Sequence, residues 1–195
     1  MKKLALAASL LLFLLPYTGA TTVVPMSVEK LTEISSHVVE AHATRSWSAW
    51  NAQHTMINTY TEFAVDSWLK GSGENAITVK QPGGSAEGYT QQVAGVHPWS
   101  AGESTVLFLQ RSPANDNTFT VSGLMQGNFR VRHLASGAAV ADNGVPSSTT
   151  QASTTQAGEE LQSFNPADKS LVPYSGNRMD INELKRRIRS ANHTR

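Results

Sequence analysis

The feature that most constrains the fold is a series of five short segments in which apolar and polar residues alternate as they do in β-strands. Gly, Asn and Pro recur between these segments, as is typical of turns, and no helical apolar period intervenes. Short strands without intervening helices indicate an antiparallel barrel or sandwich. The predicted strands are residues 37–46, 56–69, 76–81, 104–111 and 118–133.

One helix is predicted on each side of these strands. Ser27 is a suitable N-cap for a short first helix. Near the C-terminus, Asp180 and Glu183 match a capping box, and residues 179–192 are predicted as an amphipathic helix with cations toward its end. The apolar stripe of this helix is expected either to pack on the β domain or to dock on a partner or an anionic surface. The stripe consists of Ile181, Leu184 and Ile188.

The chain is therefore predicted to contain a β domain over residues 27–133 and a flexible linker over residues 134–178. The linker prediction rests on composition. Residues 135–166 are rich in Ser, Thr, Gln, Ala and Gly, lack Lys and Arg, and contain few large apolar side chains. Such a segment buries too little surface to offset the entropy of ordering its chain.

The N-terminus has the pattern of a secretory signal peptide, predicted over residues 1–20. Lys2 and Lys3 precede an apolar run, and Thr18-Gly19-Ala20 supplies the small residues of a cleavage site. The run is short for a membrane span, so no transmembrane segment is expected after cleavage. The chain has no Cys, which in an exported protein indicates a bacterial periplasmic or extracellular location.

The charge of the chain does not favour a nucleic-acid partner. The formal net charge is +1, and cleavage of the signal peptide would remove two positive charges and leave −1. A nearly neutral protein exerts no general attraction on nucleic acid or on an anionic membrane. A protein or a glycan is therefore the expected partner, and the oligomeric state is left open.

The sequence contains no clear catalytic or metal-binding motif. Its six His are scattered, without an H-E-x-x-H motif, so neither a metal nor another cofactor is expected. No G-x-S-x-G motif is present. A triad assembled from distant positions stays open, because triads are recognised by geometry rather than by sequence position.

The segment Pro82-Gly83-Gly84 has two interpretations. A phosphate-binding loop would open a helix whose N-terminus faces the anion, but residues 85–93 have no helical apolar period. A turn that uses glycine's access to positive φ explains the two glycines more simply. We therefore predict a turn.

Four residues are candidates for partner binding. Trp47 and Trp50 follow the first predicted strand, and exposed indoles can stack on sugars or bases; packing at the edge of the core is the alternative. The loop of residues 95–102 carries His97 and Trp99 and is predicted to lie at the rim of the barrel, and packing at the edge of the core is the alternative for Trp99 as well. Replacing Trp99 by Ala is then expected to weaken partner binding and to leave thermal stability unchanged.

Several sequence blocks resemble a loosely defined set of exported bacterial proteins of unknown function. The shared pattern contains a long strand ending in LKG, then ITVxxPGG, GExxxLFL and a closing strand ending GxFxV, and it covers residues 27–131. It departs from the set at Ala41, where a Gly is usual. The matching blocks are Leu69-Lys70-Gly71, Pro82-Gly83-Gly84, Gly102-Glu103 and Leu107-Phe108-Leu109.

The first two strands and the LKG turn are more distantly similar to the netrin-type domains of tissue metalloproteinase inhibitors. This resemblance implies a small antiparallel OB-like barrel. Those inhibitors chelate the metal of their target through an N-terminal Cys, which this chain lacks, and neither resemblance implies catalytic residues. The leading expectation is a non-catalytic binding or accessory module that uses loops at the barrel rim. A proteinase inhibitor is the alternative, and an enzyme of unrecognised type is the third choice.

Overall fold

The computed structural model describes residues 25–93, 95–114, 116–146 and 176–193. It confirms a mainly β protein with a short helix at the start and a helix at the C-terminus. The predicted signal peptide and most of the predicted linker lie outside the described residues. The elements are α1 (Val28–Ile34), β1 (His37–Trp50), β2 (Ile57–Lys70), β3 (Ala76–Pro82), β4 (Gly84–Ala86), β5 (Tyr89–Gln91), β6 (Ser104–Arg111), β7 (Phe119–Val121), β8 (Asn128–His133), β9 (Ala139–Pro146), β10 (Gly176–Asp180) and α2 (Ile181–His193).

Most of these strands belong to one sheet, in the order β1-β2-β3-β7-β6-β8-β9-β10. Strand β1 pairs with β6 as well as with β2, so the pairings β1-β2-β3-β7-β6 lead back to β1. The β3–β7 pair is parallel, and the other pairs are antiparallel. Strands β4 and β5 form a separate hairpin. The predicted strand segment over residues 118–133 is interrupted in the sequence by Gly123 and Gly127, and the structure has two strands there, β7 and β8, separated by a turn.

Strand β6 explains why its sequence, STVLFLQR, is apolar without alternation. Successive side chains of a strand point in opposite directions, and on β6 each direction leads to a core. Both faces of the strand are therefore buried, so both favour apolar residues. Leu107 and Leu109 enter one cluster, whereas Val106 and Phe108 enter the other. All four side chains are fully buried.

The first cluster, the strand cluster, lies between the five strands whose pairings return to β1. None of its members in the described part of the chain belongs to a helix. Phe63 and Trp99 meet edge to face at 5.0 Å between ring centres. The buried members are Val39, Ala41, Ala43, Phe63, Ile77, Val79, Trp99, Leu107, Leu109 and Phe119.

The second cluster, the helix cluster, covers the opposite face of β6. The predicted stripe of α2 packs here, so the structure confirms packing on the β domain for that stripe. Asp180 caps the helix, because its Oδ1 accepts from Asn182 N at 2.8 Å. The buried members are Val28, Leu31, Val38, Val106, Phe108, Phe129, Ala141, Ile181, Leu184 and Ile188.

Ion pairs also join the two helices and fasten α2 to the sheet. Arg187 donates two hydrogen bonds to the carboxylate of Glu29, at 2.7 and 2.8 Å. These bonds stabilise the ionised form and lower the pKa of Glu29 to about 2. Lys185 Nζ lies 2.7 Å from a carboxylate oxygen of Glu40 on β1.

The prediction of a linker that starts at residue 134 is wrong for part of its length. Residues 139–146 form β9, which pairs with β8 on one side and β10 on the other. Ala141 is fully buried and Asp142 nearly so. The composition of residues 139–146 does not indicate a strand, because β9 contributes mainly small side chains, while the neighbouring strands and α2 supply the bulk of the core. Residues 147–175 lie outside the described residues.

Candidate functional site

Trp99 is a core residue, which corrects the prediction that it is exposed at the rim. Only 4% of its surface is accessible. Its ring packs on Phe63 in the strand cluster, and its Nε1 donates to Asn128 Oδ1 at 3.2 Å. Trp99 stands alone in a loop, where no periodicity marks an inward-facing position, so local sequence patterns do not predict its burial.

The loop that Trp99 anchors separates two surface grooves. We call residues 95–103 the rim segment. His97 is exposed and lines both grooves. The structure therefore places one of the two predicted rim residues at a candidate site and the other beneath it. Since Trp99 holds the rim segment down, its role at the site is to support the loop.

The first groove, the charged groove, has a volume of about 440 Å³. Its charged side chains are already engaged with one another. Arg130 Nε lies 2.7 Å from Glu103 Oε1, and its Nη2 donates to the carbonyl of Pro98 at 3.1 Å. Arg132 is hydrogen-bonded to the buried carboxylate of Asp142. These contacts fasten the rim segment to β8, and β8 to β9.

The second groove, the neutral groove, has a volume of about 410 Å³. This volume falls in the range of about 300–1,000 Å³ that is usual for small-molecule sites. None of the described residues lining it is Asp, Glu, Lys or Arg. The lining instead combines hydroxyl and amide side chains with glycines and small apolar residues. It consists of Thr59, Gln81, Pro82, Gly83, Gly84, Ser85, Thr90, Gln91, Gln92, Val93, Gly95, Val96, His97 and Pro98.

The two glycines between β3 and β4 shape one wall of the neutral groove. Gly83 and Gly84 have φ of +96° and +127°, and a strand rather than a helix follows them. The positive φ angles agree with the predicted use of glycine, but no tight reversal forms. Pro82 ends β3, Gly84 begins β4, and β4 pairs with β5 rather than with β3, so the chain makes a corner here. A Cβ at Gly84 would collide with the hydroxyls of Ser48 and Thr59. Only glycine lets the chain pass this close over the β1–β2 hairpin.

Gln81, at the base of the neutral groove, has an unsatisfied amide. The residue is only 3% exposed, and its Oε1 has no hydrogen-bond partner among the described residues. Its Nε2 makes one long contact, of 3.5 Å, to the sulfur of Met125. Exchanging the amide's oxygen and nitrogen does not remove the deficit, because a thioether sulfur cannot donate a hydrogen bond.

Trp50 lies beside the neutral groove in an aromatic cluster. Its ring stacks on His54 at 5.6 Å and meets Tyr89 edge to face at 5.7 Å between ring centres. Tyr89 is 65% exposed and directly precedes Thr90 of the groove lining. Gln91 links the same regions, because its Oε1 accepts from Ile57 N, and Ile57 pairs with Trp50.

Trp47 lies on the other face of the β1–β2 hairpin, since residues an odd number of positions apart on a regular strand point to opposite sides. It stacks on Tyr60 at 5.6 Å, and the guanidinium of Arg45 lies 5.0 Å from the centre of its ring. Arg45 is itself paired with Glu62. The structure therefore brings His97 and Trp50 to one region of the surface and places Trp47 elsewhere.

The remaining polar clusters in the described part of the chain have structural contacts. No group of three or more His, Asp or Glu there is arranged to hold a metal ion. His42 Nδ1 lies 3.0 Å from Asp66. His37 lies between Trp68 and Phe119, and burial together with nearby cations lowers its pKa.

Sequence reasoning missed the amide and hydroxyl residues of the neutral groove. Gln81 occupies an ordinary strand position. A polar stretch typical of a surface loop contains Thr90, Gln91 and Gln92. A sequence signal was available only for the two glycines. The remaining lining residues come together through the pairing of strands that are distant in sequence.

Comparison of the chain with known protein families and with curated proteins finds no match. Within the described residues, neither helix has the length and apolar character needed to cross a bilayer. The functional assignment therefore rests on the geometry of the two grooves.

Proposed function

We propose that this chain is an exported, non-catalytic binding module that holds its ligand in the neutral groove. The scaffold is an OB-like barrel, an assignment supported by the five-strand pairing circuit and its single parallel pair. The strand cluster fills the space between those strands with side chains, among them the fully buried Phe63 and Leu107. A ligand therefore binds on the rim rather than inside.

The observation that carries the proposal is the contrast in hydrogen-bonding state around the rim segment. In the charged groove, the polar side chains of Glu103, Arg130 and Asp142 have partners within the protein. In the neutral groove, the hydroxyls of Thr59, Ser85 and Thr90 also have partners. The nearly buried amide oxygen of Gln81 lacks one. Folded proteins rarely leave such groups unpaired, so the orphaned Gln81 marks a position where a bound molecule would complete the hydrogen bonding.

A charge placed in the neutral groove tests the binding function. Gln92 is exposed and lines the groove, so Gln92→Arg should leave stability within about 0.5 kcal/mol of the parent. With the purified protein immobilised, this variant should retain roughly tenfold less material from a bacterial envelope extract, the loss expected for about 1.4 kcal/mol of binding energy. Ser136→Arg, in an exposed turn outside both grooves, is the matched control. Equal retention by the two variants contradicts the proposal.

Export is proposed from the pattern of residues 1–20. The positive n-region, apolar run and small-residue site support cleavage after Ala20. Mass spectrometry of the protein recovered from the periplasm and medium of expressing bacteria tests this. An intact N-terminus on cytoplasmic protein would contradict it.

A further inference from the structure

We propose that the ligand of the neutral groove is an uncharged oligosaccharide, one of whose rings lies against the aromatic cluster of Trp50, His54 and Tyr89. This inference rests on the binding function proposed above and specifies its ligand class. Three properties of the described residues carry it: the absence of charge in the lining, the pairing capacity of that lining, and the aromatic surface beside it.

The first property is charge. A charged ligand that enters a groove gives up water and needs a counter-charge in return. The described lining of the neutral groove contains no Asp, Glu, Lys or Arg to supply one, although Glu103 and Arg130 lie just across the rim segment in the charged groove. Polyanions such as nucleic acids rely on Lys and Arg contacts to their phosphates. The neutral groove therefore selects a ligand without formal charge.

The second property is the kind of hydrogen-bonding group present. Gln amides and Thr or Ser hydroxyls can each both donate and accept. Sugar hydroxyls have the same double capacity, so they pair with such groups in either direction. Gln81 requires a new partner, and a hydroxyl inserted beside it would satisfy its amide whichever way that amide is turned. Thr90 and Gln92 lie on the open side of the groove, where further hydroxyls of the oligosaccharide would reach them.

The third property is the exposed aromatic surface at the end of the groove. A sugar ring has an apolar C–H face and a polar rim of hydroxyls, and an amphipathic aromatic side chain complements both. Tyr89 offers such a surface, and its contact with Trp50 holds the ring in place. Tyr89 and Gln91 lie two residues apart on β5 and therefore share a face of the strand. Gln91 lines the neutral groove, so one ligand can contact the aromatic cluster and the neutral lining together.

An extended peptide is the competing ligand, and the structure favours it less. Peptides that bind by strand addition gain affinity from a row of main-chain hydrogen bonds along an open sheet edge. The edge beside the groove is β5, which contains only the three residues Tyr89–Gln91. An edge this short offers few such bonds, whereas side-chain hydroxyls and amides line the groove itself.

The test titrates the full chain after residue 20 with defined probes and follows heat and tryptophan fluorescence. The neutral probes are maltohexaose, cellohexaose and chitohexaose. The charged probe is a galacturonate hexamer, and the peptide probe is an uncharged peptide of Gly, Ser and Gln. We expect binding of a neutral oligosaccharide, no binding of the galacturonate, and a blue shift of the tryptophan emission on binding that persists in Trp47→Ala.

The variants Gln81→Met, Gln92→Arg and Tyr89→Ala should each weaken that binding by roughly tenfold, about 1.4 kcal/mol. Trp47→Ala is the matched control, because it removes a part-exposed indole from the opposite face of the same hairpin, and it should bind like the parent. If Gln81→Met alone proves unstable, the two surface variants still decide the question.

Three results would overturn the inference. Binding of the peptide or of the galacturonate in place of the neutral sugars excludes this ligand class. The inference also fails if an oligosaccharide binds but Trp47→Ala is the only variant that weakens its binding. Failure of every oligosaccharide also excludes it. In that last case the binding function survives if Gln92→Arg still reduces retention from the envelope extract, and both proposals fail if it does not.

Discussion

The two grooves on either side of the rim segment share His97 and differ little in volume, yet their chemistry is opposite. The charged groove contains acids and bases that are bonded to one another and to the backbone of Pro98. The neutral groove contains uncharged polar groups, one of which is buried without a partner. The difference teaches that the conspicuous charges beside the rim segment are engaged in contacts that hold the fold together.

The comparison also separates two kinds of aromatic residue at the rim. Trp99 is buried in the core on the side of the charged groove, where Asn128 accepts a hydrogen bond from its indole N–H. Tyr89 projects into solvent on the side of the neutral groove. Substitutions on the first side should therefore change stability, and substitutions on the second side should change binding.

The largest expected effect is that of Trp99→Ala. Removing this buried ring should lower the free energy of unfolding by about 3–5 kcal/mol, the usual cost of truncating a core Trp or Phe. Urea denaturation followed by circular dichroism measures it. Trp47→Ala provides the comparison, because its ring is 40% exposed, and it should cost far less. Equal costs for the two variants would show that the rim segment is not anchored through Trp99.

A matched pair of amide substitutions sharpens the contrast between the grooves. Asn128→Leu leaves the buried indole N–H of Trp99 without its acceptor and should cost about 1–3 kcal/mol. Gln81→Met removes an amide that has no good partner and roughly conserves volume, so stability should stay within about 1 kcal/mol of the parent or rise. Chemical denaturation of both variants measures this. A large loss for Gln81→Met would indicate that its amide is paired inside the protein.

Glu103→Gln should have a smaller effect. It removes one carboxylate charge from a part-exposed pair with Arg130, and such pairs contribute about 0–1 kcal/mol. The difference from the parent should shrink as salt screens the pair, and oligosaccharide binding in the neutral groove should be unchanged. Thermal unfolding at low and high salt, with titration of the probe that the parent binds, checks both points. Loss of probe binding would show that the two grooves act as one site.

The smallest expected effect extends the comparison to an ion pair outside both grooves. The pKa of Glu29 is lowered from 4.5 to about 2 by its hydrogen bonds with Arg187. A lowered pKa in the folded state means stabilisation that is present above about 4.5 and is lost as pH falls through about 2. The pair is partly exposed, so Glu29→Gln should cost at most about 1 kcal/mol at neutral pH.

Denaturation of the parent and of Glu29→Gln across this pH range tests the linkage. The two free energies of unfolding should converge as the pH approaches about 2. A constant difference would show that the pair does not lower the pKa of Glu29 in the folded protein.

Local patterns predicted much of the fold. The caps at Ser27 and Asp180 and the apolar stripe of α2 were evident because helix termini and helix faces depend on neighbouring residues. The need for positive φ at Gly83 and Gly84 was evident for the same reason, although the chain makes a corner there rather than a turn. Strand β9 was missed because its place in the sheet depends on pairing with β8 and β10 rather than on its own composition.

The candidate site was far less accessible to sequence reasoning. His97 and Trp50 were selected as exposed polar or aromatic residues, and both lie near the neutral groove. Trp99 was selected by the same argument and is buried. A single residue in a loop carries no periodicity, so only its neighbours in space decide whether it faces the core or the solvent.

By itself, the sequence determined where the two helices and the strands β1, β2, β3 and β6 form, because hydrophobic periodicity and capping act over a few residues. It also determined that the chain would need glycine at the β3–β4 corner. Only the tertiary structure decided that charge would be neutralised on one side of the rim segment and absent on the other. That outcome depends on contacts between Glu103 and Arg130, and between Gln81 and Met125, which are set by strand pairing across the sheet.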